Sequence, residues 1–270
     1  MADLKIGVVG AAGRMGGAVI RQIVEIEGCI AAAASEVHGS PAVGRDAGEL
    51  AGLDAIGVAV SDDAAALFSG TDAVIEFSTP QSTLDHARAA AAADCIHVVG
   101  TTGLDADQEA ALKAAAENTA IVYAPNMSLA VNILFALTRR AAQLLDDEFD
   151  IEVVEMHHRH KVDAPSGTAL GLGRAAASGR GVDLHQVSQR ARDGHTGPRR
   201  RGDIGFAALR GGDVVGEHSV VFAADGERLE LAHKAAGRQI FARGAVHAAR
   251  WAKGKPPGLY SMSDVLGLED

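Results

Sequence analysis

The first half of the chain alternates short apolar runs with longer helical patterns. The apolar runs cover residues 4–9, 30–34, 55–60, 73–77, 96–99 and 121–124, and helical patterns cover 15–26, 84–93 and 105–116. Runs of about five apolar residues without polar alternation are typical of a parallel sheet that helices cover on both faces. We therefore predict an α/β fold whose N-terminal domain is a Rossmann-like, doubly wound parallel sheet.

The pattern changes after Asn126. A helix is predicted from Ser128 to about residue 145, a strand at 151–156 and a helix at 166–177. Between 204 and 235, short apolar runs are separated by Gly211-Gly212 and by Asp225-Gly226, which are hairpin signals. We predict a second α+β domain with a mostly antiparallel or mixed sheet at 128–237. The first domain is predicted to be 1–127, with 238–270 returning to it.

A glycine-rich loop follows the first predicted strand. The loop consists of Gly10, Ala11, Ala12, Gly13, Arg14 and Met15 and leads through Gly16 into a helix, and Glu36 ends the second strand 20 residues later. Glycines at these positions permit a tight turn and let backbone N–H groups approach a pyrophosphate, while the acid would bind ribose hydroxyls. The spacing is Gly-x-x-Gly-x-x-Gly, so an ordinary glycine turn is the alternative.

Two further loops come at the ends of predicted strands. They are Gly100-Thr101-Thr102-Gly103 and Ala124-Pro125-Asn126-Met127. Ligands of open α/β sheets bind at the carboxyl ends of the strands. Either loop alone could be a plain turn, but together with the first loop they outline one crevice for a dinucleotide.

Charge and composition exclude several classes of protein. The chain has 25 Lys and Arg against 35 Asp and Glu residues, a formal net charge of −10, which disfavours nucleic acid as a partner. Its two cysteines, Cys29 and Cys95, each open an apolar run and are expected to be reduced core thiols. No apolar run reaches the roughly 18 residues of a membrane helix and no leader pattern is present, so we expect a cytoplasmic protein.

The densest polar cluster lies at 155–168. Its histidines His157, His158 and His160 lie beside Lys161, and such groups can transfer protons near neutral pH. A solvated charged loop is the simple alternative. A zinc site is a third, but the His-Glu-x-x-His spacing is missing and the neighbouring basic residues would repel a cation, so no metal site is predicted.

The same segment ends in a predicted helix start. Ser166 follows a proline and can cap the helix, while the N–H groups of Gly167 and Thr168 and the Thr168 hydroxyl could cradle a carboxylate. Simple capping is the alternative. The neighbouring histidines favour a substrate that carries a carboxylate.

These motifs resemble those of the dihydrodipicolinate (4-hydroxy-tetrahydrodipicolinate) reductase family. The resemblance rests on Val9 to Gly16, on Gly100-Thr101-Thr102-Gly103 and above all on Glu155-x-His157-His158-x-x-Lys161-x-Asp163-x-Pro165-Ser166-Gly167-Thr168. It implies an enzyme of diaminopimelate and lysine biosynthesis that transfers a hydride from NADH or NADPH to a cyclic dicarboxylate. It also implies a homotetramer assembled through the sheet of the second domain.

The resemblance further implies roles for single residues. His157 would be the acid/base and Lys161 a proton donor, with His158, Gly167 and Thr168 binding the substrate. The cofactor would be held by Gly10, Ala11, Ala12, Gly13, Arg14, Met15, Glu36, Gly100, Thr101, Thr102, Ala124, Pro125, Asn126 and Met127. A non-catalytic dinucleotide sensor and a reductase of another amino-acid-derived imine are the alternatives.

The residue after Glu36 and a later stretch of arginines bear on which anions the protein binds. Family members that use NADPH well often carry an arginine just after the acid, where this chain has Val37 and then His38. A 2′-phosphate would lose a charge-assisted contact there, although Arg14 could still reach it, and we expect NADH to be used at least as well as NADPH. A stretch of arginines is interpreted either as a solvated loop or as a positive funnel for anions. It consists of Arg190, Arg192, Arg199, Arg200 and Arg201.

Overall fold

The computed structural model describes residues 2–268 and divides the chain into two compact units. Of the described residues, the first unit contains 2–129 and 238–268, and the second contains 130–237. Among the described residues, no helix is both long and apolar enough to cross a membrane.

The first unit is built on a seven-stranded sheet in which every pairing is parallel. Its strands are β1 (Leu4–Val9), β2 (Cys29–Ser35), β3 (Val60–Ser61), β4 (Ala73–Glu76), β5 (Ile96–Val99), β6 (Ala120–Tyr123) and β12 (Gly258–Tyr260), in the order β12-β6-β5-β4-β1-β2-β3. Its helices are α1 (Arg14–Glu25), α2 (Ala47–Leu50), α3 (Ala64–Ser69), α4 (Pro80–Ala93), α5 (Ala106–Ala115), α9 (Gln239–Ala252) and α10 (Met262–Leu266).

Helices cover both faces of this sheet, which explains the uninterrupted apolar runs. Neighbouring strand residues point to opposite faces, so Ile75 packs into the cluster that contains α1 and α9, while Val74 packs into the cluster that contains α3 and α4. Both side chains are fully buried. The predicted doubly wound α/β fold is confirmed.

The predicted strand at 55–60 is wrong for most of its length, because only Val60 belongs to β3. The Asp46 carboxylate accepts hydrogen bonds of 2.8–3.2 Å from the N–H groups of Ile56, Gly57 and Val58. It also caps α2 through Gly48. An apolar run whose backbone donors are taken by a carboxylate cannot extend a sheet ladder.

The second unit has a five-stranded mixed sheet that packs helices on one face. Its strands are β7 (Asp150–His157), β8 (Ser188–Gln189), β9 (Ile204–Arg210), β10 (Gly216–Ala224) and β11 (Glu227–Ala235), in the order β11-β10-β7-β9-β8. Its helices are α6 (Leu129–Leu144), α7 (Gly167–Arg180) and α8 (Leu184–Val187). On β7, Ile151, Val153, Glu155 and His157 alternate with less buried residues, so these four share one face.

The two hairpin predictions have different outcomes. Asp225-Gly226 joins the antiparallel neighbours β10 and β11, as predicted. Gly211-Gly212 does not join neighbours, because β7 lies between β9 and β10 and pairs with β9 in parallel. The chain from 211 to 215 therefore crosses over an intervening strand, and of the two predicted forms of the sheet the mixed one is confirmed.

Candidate functional site

The glycine loop after β1 has the geometry of a phosphate cradle. Gly10 has φ +68°, a conformation that favours glycine, and its carbonyl accepts a 2.9 Å hydrogen bond from the N–H group of Gly13. A Cβ atom at Gly16 would lie 2.1 Å from the carbonyl oxygen of Gly10. Helix α1 can therefore start directly against the loop only because residue 16 has no side chain, and Gly13 at its N-cap provides no side-chain cap.

A cavity of about 680 Å³ adjoins the start of α1, and its lining includes Ala12, Gly13, Arg14 and Arg238. Arginine side chains at a helix N-terminus favour an anion such as a pyrophosphate. The glycine geometry of the loop fits a bound pyrophosphate.

The acid at the end of β2 contacts the loop directly. The Glu36 carboxylate accepts a 3.0 Å hydrogen bond from the N–H group of Ala12 and a 3.3 Å bond from that of Val37. The Val37 side chain is 72% exposed, and next to it Nδ1 of His38 lies 2.7 Å from Asp62. The position after the acid therefore offers an exposed apolar side chain and no guanidinium.

The loop after β5 is fixed by buried hydroxyls. Thr101 is buried, and its Oγ1 accepts hydrogen bonds from the Ser78 N–H at 3.0 Å and from the Thr83 hydroxyl at 2.9 Å. A Cβ atom at Gly100 would collide with the Phe77 ring at 2.1 Å. Thr102 is exposed. Gly100 and Thr101 thus hold the loop in place, and Thr102 is the member of the three whose side chain faces solvent.

The loop after β6 presents mainly backbone. Ala124 and Met127 are buried, and the Met127 side chain belongs to the core of the first unit. Asn126 accepts a 2.9 Å hydrogen bond from the Ser128 N–H, and Pro125 is exposed. The predicted cofactor loops thus all follow the carboxyl ends of strands in one parallel sheet.

The loop after β4 occupies a position in the sheet that the sequence pattern does not reveal. The strand order places β2 on one side of β1 and β4 on the other, which makes the β1/β4 boundary the switch point where open α/β sheets bind ligands. The residues that follow β4 are Phe77, Ser78 and Thr79. Their signal in the sequence was only that they follow an apolar run, and the strand order was needed to recognise their position.

A buried carboxylate lies below this loop. Glu76 is fully buried, and its carboxylate lies 2.7 Å from Nε2 of His97 and 2.8 Å from Nδ1 of His86, and it also accepts a hydrogen bond from the Ser78 hydroxyl. Burial alone would raise the pKa of Glu76, but the two histidines hold it at about 2. The end of β4 therefore carries an ionised, fully buried carboxylate.

In the second unit, the histidine predicted to be catalytic is bound to a buried carboxylate. His157 ends β7 with its side chain 10% exposed, and its Nδ1 lies 2.5 Å from Oε2 of Glu155. A Cβ atom at Gly216 would lie 3.1 Å from Nε2 of His157, so the glycine leaves room beside this nitrogen. His218 contacts the His157 ring edge to face, with the centroids 5.1 Å apart.

Glu155 connects several elements of the second unit. Its Oε2 and Oε1 atoms accept hydrogen bonds of 2.8 and 3.0 Å from the two terminal nitrogens of Arg210. The Oε1 atom also accepts a 3.1 Å hydrogen bond from the Ser166 N–H group. The Ser166 hydroxyl lies 3.0 Å from Nε2 of His218. Although burial raises the pKa of Glu155, Arg210 and His157 keep it below its ordinary value, so the carboxylate is ionised.

Burial lowers the pKa of His157 against the opposing effect of Glu155, with Lys161 and Arg210 lowering it further. Burial and the neighbouring His157 lower the pKa of His218 to about 4, so His218 is neutral at physiological pH. Since the ionised Glu155 can only accept, Nδ1 of His157 carries the proton. The lone pair of a neutral His157 is then on Nε2.

Lys161 lies in the loop that follows β7. Its ammonium group is 2.8 Å from the Asp163 carboxylate and its side chain is 20% exposed. Nδ1 of the adjacent His158 is buried, and no hydrogen-bond partner for it exists among residues 2–268. Lys161 and His158 lie in the loop between His157 and α7.

The start of α7 has the predicted cap. The Ser166 hydroxyl accepts a 3.1 Å hydrogen bond from the Ala169 N–H. Gly167 is exposed, with open space where a side chain would be. The helix N-terminus next to Glu155 is accordingly accessible to an anion.

Three of the five arginines in the basic stretch are paired with carboxylates. Arg192 binds both oxygens of Glu152 at 2.7 and 2.9 Å, Arg199 bonds to Glu152 at 3.0 Å, and Arg201 contacts Asp147 at 2.8 Å. These contacts favour a charged surface loop over a positive funnel. Within the described part of the chain, no group of three or more ligating side chains is arranged to hold a metal ion.

Arg210 and His218 are the site residues that sequence reasoning did not assign. They are 55 and 63 positions from Glu155, and they reach it because β9 and β10 flank β7 in the sheet. The register pairs His218 with Glu155 and Arg210 with His157. Local patterns do not contain this information, because it depends on the strand order.

Comparisons with known proteins agree over the whole chain. The family models described as "Dihydrodipicolinate reductase, N-terminus" and "Dihydrodipicolinate reductase, C-terminus" match residues 4–127 and 130–266. The 4-hydroxy-tetrahydrodipicolinate reductase of Parvibaculum lavamentivorans is 60% identical over 269 residues, covering 99% of each chain. That of Chelativorans sp. is 56% identical and covers 100% of this chain and 98% of the relative.

Solved structures have the same fold. A dipicolinate-bound dihydrodipicolinate reductase from Paenisporosarcina sp. TG-14 superposes with a TM-score of 0.73 at 23% identity, covering 96% of this chain and 97% of the other. GenD2 from gentamicin A biosynthesis in complex with NAD gives a TM-score of 0.58 at 14% identity, covering 99% and 91%. At these identities, the similarity concerns the fold.

Proposed function

The chain belongs to the dihydrodipicolinate reductase family and is therefore an NAD(P)H-dependent oxidoreductase, and we propose that His157 and Lys161 supply the proton in its reduction of 4-hydroxy-tetrahydrodipicolinate to tetrahydrodipicolinate. The observation that carries this proposal is the polar cluster of the second unit. There an imidazole with a fixed tautomer, an ammonium group and an open helix N-terminus occur within 12 residues, from 157 to 168.

The chemistry requires these groups. Loss of water from the 4-hydroxy substrate gives a conjugated imine, and the bound nicotinamide supplies a hydride to one end of it. Electron density then develops at the other end, which must take up a proton. Lys161 and His157 are cationic or protonatable groups that can donate this proton. Positioned proton donors of this kind contribute about 10²–10⁴-fold to a rate.

The substrate carries carboxylates, and the start of α7 suits one of them. Gly167 and Thr168 at the helix N-terminus and the imidazole of His158 are proposed to bind it. The dipicolinate named with the Paenisporosarcina relative is a dicarboxylate, which supports this class of ligand. These residues bind and orient the substrate, while His157 and Lys161 hold and deliver the proton.

The cofactor is proposed to bind to the loops of the first unit. The main contacts are with Gly10, Ala11, Ala12, Gly13, Arg14, Met15, Glu36, Gly100, Thr101, Thr102, Ala124, Pro125, Asn126 and Met127. The positive φ of Gly10 and the close approach at Gly16 support this placement. Since Val37 offers no charge to a 2′-phosphate, we propose that NADH serves at least as well as NADPH.

The assembly and location are proposed from the family resemblance: a cytoplasmic homotetramer that forms through the sheet of the second unit. Buried, unpaired Cys29 and Cys95 are consistent with a reducing compartment. Light scattering coupled to size-exclusion chromatography tests the tetramer, and a monomeric mass would contradict it.

The catalytic assignment is tested with His157→Asn and Lys161→Met. Both variants should lower kcat by about 10²–10⁴-fold, because each loses a proton-transfer group. The Kd for NADH, measured by nicotinamide fluorescence, should stay within about two-fold, because neither residue belongs to the cofactor loops. An unchanged kcat, or a fall in NADH affinity that parallels kcat, would contradict the assignment.

A further inference from the structure

Glu155 is 1% exposed, and both of its oxygens are fully engaged. One oxygen is hydrogen-bonded to Nδ1 of His157 and to one terminal nitrogen of Arg210. The other oxygen accepts hydrogen bonds from the second terminal nitrogen of Arg210 and from the Ser166 N–H group. A carboxylate with this many partners has a single orientation. The imidazole bonded to it therefore has one orientation and one tautomer.

Arg210 extends the same network to the loop that carries Lys161. One of its terminal nitrogens donates a 2.6 Å hydrogen bond to the Asp163 carbonyl as well as bonding to Glu155. The side chain of Asp163 binds the Lys161 ammonium. The Glu155–Arg210 pair thus touches the histidine, the lysine loop and the residue that caps α7.

One anion and two cations surround His157. Its charged and titratable neighbours are the anionic Glu155 on β7, the cationic Lys161 in the following loop, the cationic Arg210 at the end of β9 and the neutral His218 on β10. The Glu155 carboxylate 2.5 Å away favours the imidazolium form of His157, while burial, Lys161 and Arg210 lower the pKa of His157. Of these, Arg210 is the group that also pairs directly with the same carboxylate, at 2.8 and 3.0 Å.

We propose that Glu155 and Arg210 are positioning residues for the reaction: Glu155 fixes the Nδ1–H tautomer of His157 so that Nε2 exchanges the proton, and Arg210 balances the carboxylate charge. This inference rests on the proposed catalytic role of His157. It adds two residues that act through the imidazole of His157. It also explains why the acid/base group and the carboxylate-binding helix occur on one network.

The first test compares pH profiles of kcat/KM. Glu155→Gln should lower the apparent pKa of His157 by about one pH unit and Arg210→Met should raise it by about one, because the two variants remove opposite charges. A loss of structure alone would not shift the two profiles in opposite directions. Shifts in the same direction, or none, would overturn the proposal.

A further variant distinguishes a loss of folding from a loss of the positioning role. Removing one member of a buried ion pair can destabilise a protein severely, so the double variant Glu155→Gln/Arg210→Met, which leaves no buried charge unpaired, is measured alongside. Its profile should lie near that of the wild type, while its kcat stays at least about ten-fold lower because the tautomer is no longer fixed. A wild-type kcat in the double variant would overturn the proposal.

Glu152→Gln is the matched control. Glu152 is on the same strand and is also paired with arginines, but it lies on the opposite face from Glu155. Its kcat/KM profile should be unchanged. A shift equal to that of Glu155→Gln would show a general effect of charge on β7 and would overturn the specific role.

The second test does not depend on turnover. In ¹⁵N-histidine-labelled protein, the His157 signals, assigned by their loss in His157→Asn, should show a protonated Nδ1 and an unprotonated Nε2 above the pKa of His157. In Glu155→Gln, the proton should be distributed over both nitrogens. The same tautomer in both proteins would overturn the inference. If the wild-type protein oxidised no cofactor, the proposed function would be overturned, but the tautomer of His157 could still be determined from these spectra.

Discussion

Replacing Gly16 by alanine tests whether close helix–loop packing builds the cofactor cradle. The new methyl group would lie 2.1 Å from the Gly10 oxygen, 2.7 Å from the Ala11 Cα and 2.8 Å from the Gly10 carbonyl carbon. All three are backbone atoms, so the loop or α1 must move by about 1 Å to restore ordinary contact distances. Overpacking of this kind costs about 1–3 kcal/mol, against a gain of about 1 kcal/mol from helix propensity.

We expect Gly16→Ala to raise the Kd for NADH at least about ten-fold, because 1.4 kcal/mol of lost binding energy is a factor of ten and the moved N–H groups are the proposed pyrophosphate donors. Nicotinamide fluorescence titration measures the Kd, and thermal unfolding reports the loss of stability. Gly17→Ala is the control, since its methyl group would lie 3.6 Å or more from its neighbours. This variant should be neutral or stabilised by up to about 1 kcal/mol. Equal NADH affinities in the two variants would refute the packing argument.

Three further predictions concern the substrate, the cofactor and acid stability. Thr168→Ala should raise the substrate KM about ten-fold at unchanged NADH affinity, because a hydrogen bond to a charged group is lost while the Ser166 cap remains. A wild-type KM would mean that residue 168 serves only the helix. Val37→Arg should raise kcat/KM for NADPH about ten-fold relative to NADH, and an unchanged ratio in steady-state assays would contradict the proposed discrimination. The pKa of Glu76 is held at about 2, below its ordinary value of 4.5. Above pH 4.5 the ionised carboxylate therefore contributes of the order of 3 kcal/mol to the free energy of unfolding, and this contribution is lost as the pH falls towards 2. Glu76→Gln should lose that stability at neutral pH and show a flatter acid dependence in thermal unfolding, and identical curves for both proteins would refute the role of the buried charge.

The first unit could be predicted well from the sequence because its signals are local. Strands buried on both faces are continuous apolar runs, as in β4, and the positions of Gly10 and Gly16 each have a steric cause. The error at 55–60 arose from a side chain, since the Asp46 carboxylate competes for backbone donors that periodicity assigns to a strand. Periodicity does not register such competition.

The second unit was harder because its site depends on strand order. Glu155 was visible within the histidine motif, but its partners Arg210 and His218 come from strands that flank β7. The same order made the hairpin prediction at Gly211-Gly212 wrong. Likewise, the position of Phe77–Thr79 at the switch point follows only from the placement of β4 beside β1. The proposed roles of His157 and Lys161 came from the family resemblance, and the structure supplies the contacts that make them chemically reasonable.

The most direct measurement follows the hydride itself. The protein is mixed with freshly prepared 4-hydroxy-tetrahydrodipicolinate and reduced nicotinamide cofactor that carries deuterium at the transferred position, and the product is analysed by mass spectrometry. The account predicts stoichiometric cofactor oxidation and tetrahydrodipicolinate that has gained one deuterium, with the deuterated NADH at least as effective as the deuterated NADPH. Binding of both cofactors without oxidation, or a product free of deuterium, would contradict it and would favour a dinucleotide sensor or a reductase of another imine.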